Sequence, residues 1–144
     1  MIYDTLVEEM VFPAQSKLDC IRLGSGELGK RVLRKQTVCG REVGIRLREG
    51  SSLYDGAVLA NGAGERLRVE VMPERVLVLR GRDMAEMAEI GYLIGNLHAP
   101  CAVEGEEVLI PYDSVHEARL RKAGFSVAQE ERKVVRGYAR IVSH

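Results

Sequence analysis

Met72-Pro73-Glu74-Arg75-Val76-Leu77-Val78-Leu79-Arg80-Gly81-Arg82-Asp83-Met84-Ala85-Glu86 is the stretch on which the fold turns. Before it, short apolar segments alternate with turn residues; within it, an uninterrupted apolar run at 76–79 gives way to helix grammar. Asp83 can cap a helix and Glu86 stands three residues on, the capping-box spacing, while Met84, Met87, Ala88, Gly91 and Ile94 recur at helical intervals. Gly95 and Asn96 supply a C-terminal stop. Beyond lie Ala102-Val103, a Glu104-Gly105 turn and an apolar run at 108–110 ended by Pro111. Asp113 then caps a second helix through Ala123, Gly124 stops it, and residues 125–128 read as a last strand. The order β-α-β-β-α-β is the split, ferredoxin-like arrangement. The charge run 129–133 reads as a sheet edge or the start of a mobile tail.

Upstream, residues 18–23, 32–38, 43–47, 57–59 and 67–71 read as short strands. Cys39-Gly40, Asp55-Gly56 and Asn61-Gly62 supply turn chemistry, because glycine and asparagine tolerate positive φ. The expectation is therefore an α+β chain: a small all-β N-terminal domain at 1–73, followed at 74–144 by a ferredoxin-like domain with a short tail. No internal repeat or low-complexity tract is present.

Bulk properties narrow the function classes. The chain has 144 residues, 46% hydrophobic and 29% charged, with 21 basic residues balancing 21 acidic ones. No net field favours nucleic acid or an anionic membrane. Asp4, Glu8 and Glu9 break up the N-terminus, no basic leader precedes an apolar stretch, and no apolar run approaches the ~20 residues needed to span a bilayer. A cytoplasmic protein is expected. Cys20, Cys39 and Cys101 are scattered and without Cys-x-x-Cys spacing, which fits reduced thiols. With two Phe, five Tyr and no Trp, small domains gain from burying a shared interface, which favours a dimer.

Several residues are candidates for chemistry. Gly24-Ser25-Gly26-Glu27-Leu28-Gly29-Lys30 fits both a dinucleotide turn and the start of a phosphate-binding loop, yet Arg31 stands where the latter needs Ser or Thr, and 32–38 reads as a strand where the former needs a helix. A flexible β-β loop is expected instead. Lys30, Arg31, Arg34 and Lys35 form a basic rim that could meet an acidic protein partner or simply be solvated. His98, just past the first helix, is either a ring hydrogen-bonded near a helix end or a divalent-metal ligand. One imidazole holds a labile ion poorly, but a two-fold axis beside His98 would bring two together. Gly91 and Gly95, one turn apart, permit close backbone approach either to a partner or to the underlying sheet. Cys101 follows His98 at His-x-x-Cys spacing; a thiolate ligand would slow release, and a small packed apolar residue is the preferred reading. His116 falls on or beside the apolar arc of the second helix, a packing position. No nucleophile-base pair or carboxylate dyad is recognisable, so no enzyme is expected.

The peptide Gly91-Tyr92-Leu93-Ile94-Gly95-Asn96-Leu97-His98 resembles the signature of the urease accessory metallochaperones, the UreE family. Residues 40–47, 53–59 and 69–79 look like that family's N-terminal domain and the crossing into its second. The resemblance implies that His98 is the central nickel ligand, that His144 on a short tail is a secondary ligand where it is not merely an exposed end, and that Ni(II) is bound as cargo, with Zn(II) or Cu(II) accepted in vitro. It further implies a homodimer that delivers nickel to apo-urease together with the urease accessory GTPase complex, with the N-terminal domain docking a peptide or partner and the C-terminal domain holding the metal and the dimer contact. The alternative is a metal-independent dimeric adaptor that binds peptide in the same maturation complex. Two departures stand out. Leu97 replaces the arginine common before the histidine, and the tail offers one histidine rather than a run, which argues against nickel storage. Where the family carries accessory histidines near the second helix start, this chain has Tyr112 and Ser114, so that role does not pass to His116.

Overall fold

The computed structural model describes residues 2–7 and 18–139. The chain divides into two compact units, Met1–Met72 with Val135–Gly137, and Pro73–Val134 with Tyr138–His144. Residues 135–137, which the sequence assigns to the second domain, thus belong to the first unit: the Val135 carbonyl accepts the Asp55 N–H at 2.8 Å, and the Arg136 guanidinium lies 4.7 Å from the Tyr54 ring centre.

The first unit contains β1 (Ile2–Tyr3), β2 (Thr5–Val7), β3 (Asp19–Leu23), β4 (Val32–Gln36), β5 (Glu42–Arg46), β6 (Val58–Ala60) and β7 (Arg66–Val71). They form one sheet in the order β1-β5-β4 and another in the order β2-β6-β7-β3. Strand alternation decides what is buried. Leu67, Val69 and Val71 of β7 are buried and Arg68 is exposed, and Val43 and Ile45 of β5 are buried between exposed Glu42 and Arg46. With Tyr3, Ile21, Leu23, Leu53 and Leu59 they make one core. Each expected strand of this half is present within about two residues. β1 and β2 were not foreseen, because two or three residues cannot display an alternation. β1 pairs parallel with β5 and β2 antiparallel with β6. At the Asn61 turn the positive φ falls on Gly64 (79°) rather than on Gly62; Asn61 acts through its carboxamide, which accepts the N–H groups of Ala63 and Glu65 at 3.1 and 2.9 Å.

The second unit contains β8 (Glu74–Leu79), α1 (Met84–Asn96), β9 (Ala102–Glu104), β10 (Glu107–Pro111), α2 (Ser114–Lys122) and β11 (Val127–Arg132). Its sheet runs β11-β8-β10-β9 with every pair antiparallel. This is the ferredoxin-like arrangement, and the fold is α+β. The uninterrupted apolar run in β8 now has its reason: the strand is central and buried on both faces. Leu77 and Leu79 pack with Ile90 and Ile94 of α1 and Leu120 of α2, while Val76 and Val78 pack with Leu109 and Val134, with Tyr138 against them. Tyr138 donates its hydroxyl to Glu74 at 2.9 Å, and burial together with that carboxylate pushes the phenol well above its ordinary pKa. β11 starts later than expected, at Val127, and runs through the charged residues to Arg132. As an edge strand it tolerates them, with Gln129 bonded to Glu117 and Arg75, and Arg132 bonded to Glu107. Among the described residues, no helix is long and apolar enough to cross a membrane.

Candidate metal centre

α1 carries the candidate ligand, and each end of it departs from the simple motif. At its start, the Asp83 carboxylate accepts the Glu86 N–H at 2.8 Å. The reciprocal half of the capping box is shifted by one residue, because Glu86 reaches past Asp83 to the Arg82 N–H at 3.2 Å and its guanidinium at 2.7 Å.

At its end, Gly95 and Asn96 stay helical and Leu97 caps, so the stop is not where the sequence placed it. The turn is made by His98, whose φ of 54° is the one positive value on a non-glycine residue among those described. The His98 N–H donates to the Gly95 carbonyl at 3.1 Å and the Ala99 N–H to that of Ile94 at 3.4 Å, the paired bonds of a Schellman cap. Ala99 and Ile94, both buried, share the helix-side core, the apolar contact that accompanies this motif. His98 thus occupies the left-handed position that glycine usually fills, at a cost of about 1 kcal/mol. Its side chain is exposed, whereas Leu97 before it turns inward to pack on the core.

The helical spacing seen in the sequence resolves into two faces. Met87, Ile90, Leu93, Ile94 and Leu97 face the sheet. Met84 (88% exposed), Ala88, Gly91 and Gly95 form a separate exposed stripe at intervals of four, three and four residues, leading toward His98, with Tyr92 beside it. A methyl group added at Gly91 or Gly95 would meet nothing within 4 Å, which removes internal helix-sheet packing as the reason for these glycines.

The other candidates lie as follows. Cys101 is half-buried against the helix-side core, and its carbonyl accepts the Ala139 N–H at 2.7 Å in an isolated bridge. His116 is half-buried in the first turn of α2, its Nδ1 4.0 Å from the Asp113 carboxylate and its N–H donated to the same group. His144 lies outside the described residues. Among the described residues, no group of three His, Cys, Asp or Glu side chains is arranged to hold a metal ion. All three cysteines are free thiols.

The glycine-rich stretch connects β3 to β4, as expected of a β-β loop, and contains a short turn. Ser25–Glu27 form a 3-10 turn in which the Glu27 carboxylate accepts the Gly24 N–H at 3.1 Å and pairs with Lys35 at 2.7 Å. One backbone donor of the stretch is thus taken by the chain's own carboxylate. Sequence reasoning also missed the Cys101–Ala139 bridge, which no local pattern signals, and the exposed stripe on α1, whose spacing is visible in the sequence once Ile90 and Leu93 are assigned to the core.

Comparison with known proteins agrees with this geometry. Residues 8–72 match the family model described as UreE urease accessory protein, N-terminal domain, and residues 74–135 match its C-terminal domain counterpart. The chain is 36% identical to the urease accessory protein UreE of Geobacillus kaustophilus (strain HTA426) over 86% of its own length and 84% of the relative's. It is 33% identical to that of Bacillus sp. (strain TB-90) over 84% and 82% of the two chains, and 40% identical to that of Synechococcus sp. (strain JA-3-3Ab) over 69% and 66%. These relatives are accessory proteins of urease rather than urease itself.

Proposed function

We propose, from the premise that this chain belongs to the UreE urease accessory protein family, that it is a cytoplasmic homodimer that carries Ni(II) to apo-urease, working with the accessory GTPase complex. The observation that carries this reading is His98: an exposed imidazole held at a strained helix end, where glycine would be more stable. Nickel suits a borderline ligand such as imidazole, and a site with few protein ligands leaves positions open for stepwise transfer.

One chain offers no complete ligand set among its described residues. The bare stripe of Met84, Ala88, Gly91 and Gly95 supports a two-fold contact along α1, which would bring two His98 rings together. The Cys101–Ala139 bridge supports the tail's role as well. It anchors the chain three residues after His98, and His144 follows Ala139 by five residues, a reach of up to about 17 Å.

Calorimetric Ni(II) titration and sedimentation of the wild type, of His98→Ala and of a chain lacking Ser143 and His144 test the proposal. The wild type should bind one tight ion per dimer and His98→Ala none, with the dimer intact. Truncation should weaken binding by roughly 1–3 kcal/mol per arm and keep the central site. A tight ion retained by His98→Ala refutes the assignment.

A further inference from the structure

Among the described residues β4 is an edge strand of the sheet β1-β5-β4. The Leu47 N–H donates to the Arg31 carbonyl and the Thr37 N–H to that of Arg41, both at 2.7 Å, so in the register Leu33↔Ile45 and Lys35↔Val43 the odd-numbered residues direct their backbone groups to β5. The even-numbered Val32, Arg34 and Gln36 therefore turn theirs outward. Val38, next in that series, shows the direction: its N–H reaches the Cys20 carbonyl of β3 at 2.8 Å, so β3 meets this side at the end of the strand. Among the described residues, no strand pairs with the outward groups of the other three.

The same three residues place their side chains on the sheet's outer face, because Leu33, Val43 and Ile45 are buried on the inner one. There Val32 lies opposite Arg46, and Arg34 opposite Gly44, with Ile2 beyond it. Gly44 contributes no side chain, and a depression of about 520 Å³ lies over this region, with Ile2, Val32, Arg34, Gln36, Glu42 and Arg46 among its lining residues. Val32 is 67% exposed and Ile2 53%. Lys35 is engaged by Glu27, but Arg34 and Arg46 form no ion pair among the described residues. Glu42, opposite Gln36, is the carboxylate on this face. The outer face thus presents two arginines to one carboxylate, with exposed Val32 between Arg46 and the free edge.

We propose that the free edge of β4 and this outer face take an extended acidic segment of a partner protein as an added strand. The added backbone would bond to Val32, Arg34 and Gln36, its carboxylates would lie on the outer face beside Arg34 and toward Arg46, and its alternate apolar residues would fall on the inner face beside Leu33. Antiparallel pairing of a second copy centred on Arg34 would set that guanidinium against its own copy, which favours an acidic partner segment in that register. The proposal rests on reading the protein as a docking component of urease maturation, and it identifies the surface and the chemistry of that docking.

The test uses the full-length protein and a fluorescently labelled peptide of alternating glutamate and valine, with its lysine-valine counterpart as control. Anisotropy should show binding of the acidic peptide alone, weakening with salt. Arg34→Glu combined with Arg46→Glu should reduce the affinity at least about tenfold. Gln36→Pro, which removes an outward N–H and no charge, should also weaken it, and the amides of Val32, Arg34 and Gln36 should exchange more slowly when the acidic peptide is saturating. Equal binding of both peptides, no binding of the acidic one at low salt, or unprotected amides would overturn the proposal. So would protection produced by raising the protein concentration alone, which would assign the edge to a second copy. Circular dichroism checks the fold of each variant. Nickel titration of the same variants should be unchanged, which keeps a failure here separate from a failure of the nickel reading.

Discussion

The two helices of the second unit end on the same hydrogen-bond plan and fill its one special position differently. After α2, Gly124 (φ 94°) takes the left-handed place; its N–H reaches Arg121 at 3.0 Å and that of Phe125 reaches Leu120 at 3.2 Å. After α1, His98 (φ 54°) takes it with bonds of 3.1 and 3.4 Å. Glycine adopts that conformation without steric cost, whereas a side chain pays about 1 kcal/mol. The α2 terminus is thus solved for stability. The α1 terminus gives up part of that stability to keep an imidazole facing outward.

Making the two ends alike is the strongest way to break this comparison. His98→Gly should lower nickel affinity at least about a hundredfold, or about 2.7 kcal/mol. Urea unfolding should meanwhile show stability rising by about 1 kcal/mol, because the strain at φ 54° is relieved. A variant less stable than the wild type would mean that the ring itself holds the cap.

The reverse exchange, Gly124→His, should cost about 1–2 kcal/mol in the same unfolding measurement and leave nickel stoichiometry untouched. An additional tight ion would show that any imidazole at such a cap suffices, without the bare helix face beside it.

A smaller effect distinguishes the helix starts. Asp113 accepts two backbone N–H groups, from His116 at 3.0 Å and Val115 at 2.8 Å, against one for Asp83. The His116 N–H foremost, with that of Val115 and against some desolvation, holds the Asp113 carboxyl below its ordinary pKa. A depressed carboxyl stabilises the fold above its unfolded value, about 3.9 for aspartate, and this contribution is lost as pH falls through the lower folded value. Amide exchange at Val115 and His116, corrected for intrinsic rates, should therefore accelerate below about pH 4. Asp113→Ala should lower Tm by a few degrees at neutral pH and remove that acid response, whereas Asp113→Asn should keep the cap and remove only the acid response.

Where the sequence was legible, burial and periodicity were doing the same thing. The apolar run at 76–79 announced a strand buried on both faces, and the strand-helix order beyond it announced the ferredoxin-like unit. Legibility failed where the deciding partner is remote or the deciding feature is a dihedral angle. β1 and β2 exist because β5 and β6 offer edges, not because their own residues alternate. β11 continues through a charge run because an edge strand can keep such side chains in contact with water. The stop after α1 was sought at Gly95 and Asn96 because composition names glycine as the usual left-handed residue, and nothing in composition says that histidine will take that role. The Cys101–Ala139 bridge joins residues far apart in sequence and has no local signature.

The double covering of β8 has a consequence in time. Its neighbours β10 and β11 pair with both of its edges, while Leu77 and Leu79 are sealed on one face and Val76 and Val78 on the other. The amides of this strand meet water when the unit itself opens, a slower event than fraying of its edges. His98 sits at a helix terminus, where opening is local and fast by comparison. On the nickel reading proposed above, the His98 ring would therefore swing toward and away from an ion many times between openings of β8, and ion exchange would not wait for unfolding.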